Sequence, residues 1–243
     1  MATTPLRRKN PSACMTTKLP TDTLARSIVA ALTPLADPAR ATPMRAYVRE
    51  QFDYLGIATP VRRKATSALL RTRRDPDDII KTAKALWTLH EREFQYSAID
   101  LLARQWKVLE LRHVDDLLAL AQLRSWWDTV DGLAGVVGDV VRTASATDSQ
   151  AQHTMDLALH HDNLWVRRIA MLHQLGWCDA TDTKRLFRYA RELAPEPDFF
   201  IRKAIGWALR DYAWHAPDTV RSFLDRYGKE LSPLSVREAA KHL

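Results

Sequence analysis

The sequence predicts an all-α protein, specifically an α-solenoid of about six HEAT-like repeats with two helices each and one concave face. Three observations support this. Apolar residues recur at helical spacing, as in "DDLLALAQL" and "IIKTAKALWTL". The chain has only seven glycines, and its twelve prolines leave residues 77–194 free of proline. Small residues also recur at a nearly constant interval, which is the signature of a repeat architecture.

The repeat is defined by six alanines in similar helical contexts. These are Ala65, Ala98, Ala134, Ala170, Ala204 and Ala239, separated by 33, 36, 36, 34 and 35 residues. A period near 35 with two helices per repeat is typical of HEAT-type solenoids, in which one helix of each pair lines the concave surface. The alternative is an irregular helical bundle in which the alanine spacing is coincidental.

Three helix starts carry capping signals. Asp198 precedes "FFIRKAIGWALRDYA", and the dipeptides Thr59-Pro60 and Ser232-Pro233 precede "VRRKATSALL" and "LSVREAAKHL". Asp, Ser and Thr cap helix N-termini, and proline suits the first helical position. We therefore expect helices to begin immediately after Thr59, Asp198 and Ser232.

Length and composition set the domain organisation. Residues 1–20 are rich in Thr, Pro, Lys and Arg and are expected to form a disordered tail, whereas residues 21–243 are expected to form one domain. A chain of 243 residues can bury its own core without metal or disulfide staples.

Two cysteines, Cys14 and Cys178, stand alone, without a C-x-x-C pair or a His/Cys cluster. We therefore expect no metal and no cofactor, and a reducing compartment. No apolar run approaches the roughly 20 residues of a membrane span, so we expect a cytoplasmic protein, associated with the nucleoid if it binds DNA.

A formal net charge of +7 indicates an anionic partner, most simply nucleic acid. Four of the six repeats carry Arg or Lys within the three residues that precede the anchor alanine. The residues concerned are Arg62, Arg63, Arg167, Arg168, Arg202, Lys203 and Arg237. Stacked repeats bring equivalent positions to one face, so these cations are predicted to follow a phosphate backbone along the concave surface. A solvated helix face is the alternative for any single pair.

The stretch "SWWDTVD" interrupts this basic pattern at Asp131. Trp127 lies four residues earlier on the same helical face, and Asp128 is a rival carboxylate. A carboxylate in a phosphate-binding groove is expected to be neutralised by an arginine or to take part in chemistry. The alternative is a structural Asp131 beside a core Trp127.

Several long strings together resemble the DNA alkylation repair family of HEAT-like DNA glycosylases, the AlkD type. They are "YVREQFDYLGIATPVRR", "LWTLHEREFQYSAIDLL", "SWWDTVD", "DNLWVRRIAMLHQL", "FFIRKAIGWALRDYA" and "PLSVREAAKHL". The resemblance implies a monofunctional glycosylase that excises cationic N-alkylated purines, such as 3-methyladenine and 7-methylguanine, from duplex DNA. We expect it to act as a monomer.

The resemblance also implies roles for individual residues. It makes Asp131 the catalytic carboxylate, with Trp127 and Trp207 as its companions, and Arg168 a contact to the DNA backbone near the lesion. Further implied DNA contacts are Tyr47, Thr59, Arg63, Phe199, Phe200 and Arg210, and the repeat register adds Arg202 and Lys203. The remaining tryptophans Trp87, Trp126 and Trp165 are expected in the core.

This chain departs from the family pattern at Ala58 and Gly176, where members can carry polar or basic side chains. Two other functions stay open. One is a non-catalytic HEAT-repeat protein that binds distorted or branched DNA, and the other is a protein-interaction solenoid. The core motifs carry mainly arginine apart from Lys203, which disfavours lysine Schiff-base (lyase) chemistry.

Overall fold

The computed structural model describes residues 20–243, which form thirteen α-helices and no β-strand. Except for residue 20, the predicted tail lies outside the described residues. The helices are α1 Thr23–Leu32, α2 Pro38–Tyr47, α3 Thr59–Arg71, α4 Pro76–Trp87, α5 Arg92–Gln105, α6 Val114–Ala121, α7 Trp127–Ala144, α8 His153–Leu159, α9 Leu164–Leu172, α10 Thr183–Glu192, α11 Phe199–Ala213, α12 Pro217–Tyr227 and α13 Pro233–Ala239. Short 3₁₀ turns join several of them.

The helices are arranged as consecutive two-helix repeats. The pairs are α1 with α3, α4 with α5, α6 with α7, α8 with α9, α10 with α11, and α12 with α13; α2 is inserted in the first pair. The second helices α3, α5, α7, α9, α11 and α13 pack side by side in that order, and we call them the second-helix layer. The predicted all-α solenoid with six repeats is thereby confirmed.

The six anchor alanines all lie in the second-helix layer. Ala65 is half-buried and the other five are buried, as expected for small residues at helix contacts. Gly138 shows how closely the helices approach. A Cβ at this position would lie 1.9 Å from the carbonyl oxygen of His173 in the next repeat. Only glycine allows α7 and the end of α9 to pack at this distance.

Two of the three predicted caps are confirmed. The Asp198 carboxylate accepts a hydrogen bond from the Phe200 amide at 2.7 Å, and the Ser232 hydroxyl accepts one from the Ser235 amide at 3.0 Å. The prediction for Thr59 is wrong by one residue. Ala58 is the N-cap, and its carbonyl oxygen accepts the Arg62 amide at 3.0 Å, so Thr59 is already the first helical residue.

One continuous hydrophobic cluster extends from Leu24 to Ala239 and connects all repeats. Trp87 and Trp165 belong to it, as predicted. The assignment of residues 21–243 to a single domain stays a prediction that agrees with this continuous core. Among the helices of the described chain, none combines the length and the apolar character needed to cross a bilayer.

Candidate DNA-binding and active site

The stretch "SWWDTVD" forms the N-terminus of α7. Trp126 is the extended N-cap residue and Trp127 begins the helix. Asp128 therefore lies in the first turn and Asp131 one turn further along, on the same face as Trp127. This end of α7 brings two carboxylates and two indoles together in the second-helix layer.

Asp131 is held by a single arginine of the following repeat. Arg168 in α9 donates from Nε to Oδ1 at 2.7 Å and from Nη2 to Oδ2 at 2.9 Å. Its remaining nitrogen, Nη1, donates to the Phe200 carbonyl oxygen at 2.5 Å, which fixes the guanidinium plane. The Arg168 side chain is 5% exposed and that of Asp131 is 17% exposed, so the pair is largely shielded from solvent and Asp131 is its more exposed member.

The charge state of Asp131 reflects two opposed effects. Burial raises the pKa of the Asp131 carboxyl, whereas the hydrogen bonds and positive charge of Arg168 lower it, and the burial effect is the larger one. The negative charge of Asp128 adds a smaller increase. Asp131 is thus a poorly hydrated carboxylate stabilised by one fixed cation, a condition often found at functional sites.

Asp128 has a different environment. Arg92 in α5 donates from Nε and Nη2 to the two carboxylate oxygens at 2.9 and 2.6 Å, and the Tyr96 hydroxyl donates to Oδ2 at 2.6 Å. The Tyr96 hydroxyl oxygen lies 2.8 Å from that of Tyr54. Only 6% of the Asp128 side chain is exposed, so its hydrogen-bonding capacity is largely used within the protein.

An open cavity of about 450 Å³ lies in front of α7. Tyr47, Thr59, Arg63 and Trp127 line it, together with Pro43, Met44, Tyr54, Arg62, Tyr96 and Asp128. The ring of Tyr47 meets the Trp127 indole edge to face, with centroids 5.6 Å apart. Tyr47 is 72% exposed, an unusual exposure for an aromatic side chain in contact with another. The structure thus brings four of the predicted site residues to one surface.

A buried carboxylate fixes the loop that leads into this cavity. Glu93 is completely buried and accepts hydrogen bonds from the amides of Leu55, Gly56 and Ile57 at 2.9, 2.9 and 3.0 Å. Gly56 has a φ of +88°, and a Cβ there would lie 2.0 Å from the Asp37 carbonyl oxygen. Both features hold residues 55–57 in place, and with them the start of α3 at Thr59.

The second aromatic group lies between α7, α9 and α11. Trp126, Trp165 and Phe200 form a cluster with ring centroids 4.9–5.9 Å apart. Trp126 is half-buried in it, so it is a packing residue with a partly accessible face. Phe199 packs edge to face on Phe200 and is 52% exposed. Of the two predicted phenylalanine contacts, Phe199 is therefore the accessible one.

On α11, Trp207 is half-buried against the core. Lys203 and Arg210 lie four residues before and three residues after it, on the same helical face. Both cations bind the Glu238 carboxylate of α13, at 2.9 and 3.1 Å, and Lys241 adds a third contact at 2.9 Å. Burial raises the pKa of the Glu238 carboxyl, but the hydrogen bonds and charges of Lys241 and Lys203 outweigh it and lower the pKa from 4.5 to about 2.

The cations selected by the repeat register are mostly engaged in ion pairs with a neighbouring repeat. Arg62 is 3% exposed and pairs with Asp100 at 2.7 Å, and Arg168 pairs with Asp131. The prediction that the register cations follow a phosphate backbone along the concave surface is therefore wrong for Arg62 and Arg168, whose side chains are buried against the adjacent helix. Arg63 is the exception, since its side chain is 65% exposed despite a contact to Asp100.

Of the remaining register cations, Arg167 and Arg202 are engaged within the described part of the chain and Arg237 is not. Arg167 binds Glu196 through two hydrogen bonds of 2.6 and 2.9 Å, and Arg202 donates to the Glu196 carbonyl oxygen at 2.9 Å. Arg237 is exposed and has no acidic partner among the described residues.

Sequence reasoning missed the residues that hold the candidate site in place, namely Arg92, Glu93, Tyr96, Asp100 and Glu238. A signal was available for three of the pairs. Arg62 and Asp100, Arg92 and Asp128, and Asp131 and Arg168 are 38, 36 and 37 residues apart, which is close to one repeat. Opposite charges one period apart in stacked second helices are placed to meet.

Both departures from the family pattern have a local structural setting. Ala58 caps α3 through its backbone alone. Gly176 has a φ of +74°, and its amide donates to the Asp211 carboxylate at 2.8 Å. A positive φ favours glycine, which explains the absence of a side chain there. Within residues 20–243, no group of three or more His, Cys, Asp or Glu side chains is arranged to hold a metal ion.

Comparison with known proteins places this architecture in one family. The family model described as DNA alkylation repair enzyme matches residues 28–243. A solved structure, described as a predicted DNA alkylation repair enzyme from Enterococcus faecalis, is 31% identical, with a TM-score of 0.77; the match covers 86% of this chain and 96% of that one.

A second structure, AlkD2 from Streptococcus mutans, shares the fold at 21% identity and a TM-score of 0.58, over 82% of this chain and 99% of that one. A search of curated proteins returned no match. The family model covers most of the chain, and it does so over all six repeats. This chain therefore belongs to the DNA alkylation repair enzyme family.

Proposed function

We propose that this protein is a monofunctional DNA glycosylase that hydrolyses the N-glycosidic bond of cationic N-alkylated purines in duplex DNA. The lesions are of the 3-methyladenine and 7-methylguanine type. The single observation that carries the proposal is the Asp131–Arg168 pair, a poorly hydrated carboxylate held by one arginine and lying one helical turn from Trp127. We further propose that it acts as a monomer in the cytoplasm, on nucleoid DNA.

The chemistry of the lesion explains why one carboxylate suffices. Alkylation at N3 or N7 gives the purine a positive charge, so the base is a good leaving group without a strong general acid. The C1′–N9 bond breaks with its electron pair moving to the purine, which leaves as a neutral base. Water then bonds to C1′ and releases a proton to the carboxylate or to solvent. Between the cleavage of the C1′–N9 bond and the attack of water, positive charge develops on the deoxyribose, and a fixed carboxylate stabilises this charge.

Asp131 suits this task better than Asp128. Arg168 orients Asp131 through two hydrogen bonds and leaves 17% of its side chain accessible. Asp128 already accepts three hydrogen bonds and has 6% exposure. We therefore assign Asp131 the electrostatic role and Asp128 a structural one.

Trp127 and Trp207 are proposed to contact the lesion nucleotide. Trp127 lies about 6 Å along the same helical face from Asp131, and Tyr47 contacts its indole. Indoles close to a cationic base contribute cation–π attraction and exclude water. Arg63, Thr59 and Phe199 are exposed. Together with Phe200, Arg202, Lys203 and Arg210 they are the proposed DNA contacts, whereas the buried Arg168 acts by holding Asp131.

A non-catalytic protein that binds distorted or branched DNA is the alternative. The observation that favours it is the tight engagement of Asp131 by Arg168, which has the form of a structural ion pair between repeats, like Arg92–Asp128.

Release of free bases from methylated duplex DNA separates the two functions. An enzyme releases 7-methylguanine and 3-methyladenine in a single turnover and leaves undamaged purines in place. A structural DNA-binding protein binds branched DNA more tightly than linear duplex and releases no base, and that result would overturn the proposal.

A further inference from the structure

A second cluster of cations lies away from the candidate site, at the C-terminal ends of α3 and α5. Arg71, Arg73, Arg104 and Lys107 are all exposed and line an open depression of about 510 Å³ together with Gln105 and Val108. We call these four cations the α3–α5 patch. It lies in the second-helix layer, at the opposite end of α3 from Thr59.

The α3–α5 patch differs from the candidate site in its free charge. Within the part of the chain that the structure describes, none of its four cations forms an ion pair with an acidic side chain. At the candidate site, by contrast, Arg62 and Arg63 share Asp100, and Lys203 and Arg210 share Glu238. Much of the uncompensated positive charge of this layer therefore lies at the patch.

The nearby acidic residues are engaged elsewhere. Glu110 binds Arg112 at 3.1 Å, and the Asp75 carboxylate caps α4 by accepting the Asp77 amide at 2.9 Å. Neither forms an ion pair with a patch cation. The depression is thus a concentrated positive surface, which attracts anions.

Gln105 fixes the backbone that carries the patch. This buried side chain donates to the carbonyl oxygens of Leu70 and Thr72 at 3.1 and 2.9 Å, and accepts the Arg74 amide at 3.1 Å. The segment with Arg71 and Arg73 is thereby bound to the end of α5, next to Arg104 and Lys107. A loop held in this way orders its cations before a ligand arrives, which reduces the entropic cost of binding.

We propose that the α3–α5 patch binds backbone phosphates of the duplex that flanks the lesion. This inference rests on the proposed function, because that function places the damaged nucleotide at the N-terminal ends of the second helices. Twelve residues of α3 separate Thr59 from Arg71, which is roughly 18 Å at 1.5 Å per residue. The duplex axis advances by about 3.4 Å per nucleotide, so this distance corresponds to about five nucleotides of flanking duplex.

The first test measures binding to an undamaged duplex of roughly 24 base pairs at several salt concentrations. The test variant is Arg73→Ala/Arg104→Ala/Lys107→Ala. Its matched control is Lys184→Ala/Arg226→Ala/Lys229→Ala, which removes three exposed cations without ion pairs from α10, α12 and the turn after α12. Each lost phosphate contact lowers the slope of log affinity against log salt by about 0.9, so we expect a loss of two to three in the patch variant and none in the control.

Single-turnover base release at saturating enzyme is measured on the same variants. Release by the wild type tests the proposed function independently of the patch. Equal salt slopes for the patch variant and the control would overturn the proposal that the α3–α5 patch binds phosphates. Absence of base release by the wild type would instead overturn the proposed function, and the salt slopes would still report on the patch.

Discussion

Asp128→Asn removes one negative charge from the Asp128–Arg92–Tyr96 network while keeping the size of the side chain. Arg92 donates two hydrogen bonds to Asp128 and one to the Arg124 carbonyl oxygen, and its side chain has no exposed surface. The substitution therefore leaves a guanidinium buried between α5 and α7 without its counter-ion.

Breaking a buried ion pair on one side costs about 3–5 kcal/mol. A domain of this size loses about 2–4 °C in Tm for each kcal/mol, so Asp128→Asn should unfold roughly 6–20 °C below wild type. The matched control is Asp139→Asn on the same helix. Asp139 is 36% exposed and pairs with Arg142 at 3.3 Å, so its loss should cost about 1 kcal/mol or less.

Thermal and denaturant unfolding measure the stability of both variants, and single-turnover base release is measured well below the lower Tm. We expect folded Asp128→Asn to release 7-methylguanine at a rate close to that of wild type. A variant with unchanged Tm, or a folded variant that is a hundredfold slower, would refute the structural role of Asp128.

Three further predictions concern other parts of the molecule. Tyr47→Ala should slow base release about tenfold with little change in Tm, since Tyr47 is exposed but orders Trp127; equal rates would contradict this. Arg63→Ala should lower the salt slope of DNA binding by about 0.9, and an unchanged slope would exclude a phosphate contact. Glu238 has its pKa lowered to about 2, so its stabilising contribution is complete above pH 4.5 and is lost as the pH falls towards 2. Between pH 4.5 and 2 the unfolding free energy of Glu238→Gln should therefore fall less than that of wild type in denaturant titrations, and parallel pH curves would contradict the ion cluster.

The repeat architecture could be predicted because it depends on local patterns in the sequence. Anchor alanines are needed wherever second helices approach closely, so their period survives in the sequence whatever the surrounding residues. Caps such as Asp198 and Ser232 are equally local. The cap prediction failed at Thr59 because proline is tolerated at either of the first two helical positions. Pro60 therefore did not show whether Thr59 was the N-cap or the first helical residue.

Whether a charged side chain is buried in an ion pair or exposed to solvent could not be predicted in the same way. Arg62 and Arg63 are adjacent in sequence, yet one is buried against α5 and the other is exposed at the cavity. A shift of one residue rotates a side chain by about 100° around the helix axis, so small register differences decide between an ion pair and a free cation. The same holds for Asp128 and Asp131, whose partners come from opposite neighbouring repeats.

The role of Asp131 is the central claim, and Asp131→Asn tests it most directly. The measurement is single-turnover release of 7-methylguanine from methylated duplex DNA, at a temperature where the variant is folded. Loss of a fixed charge next to a developing charge costs on the order of 3 kcal/mol, so release should slow by about a hundredfold or more, while DNA binding is retained. Release at a rate near that of wild type would contradict the account.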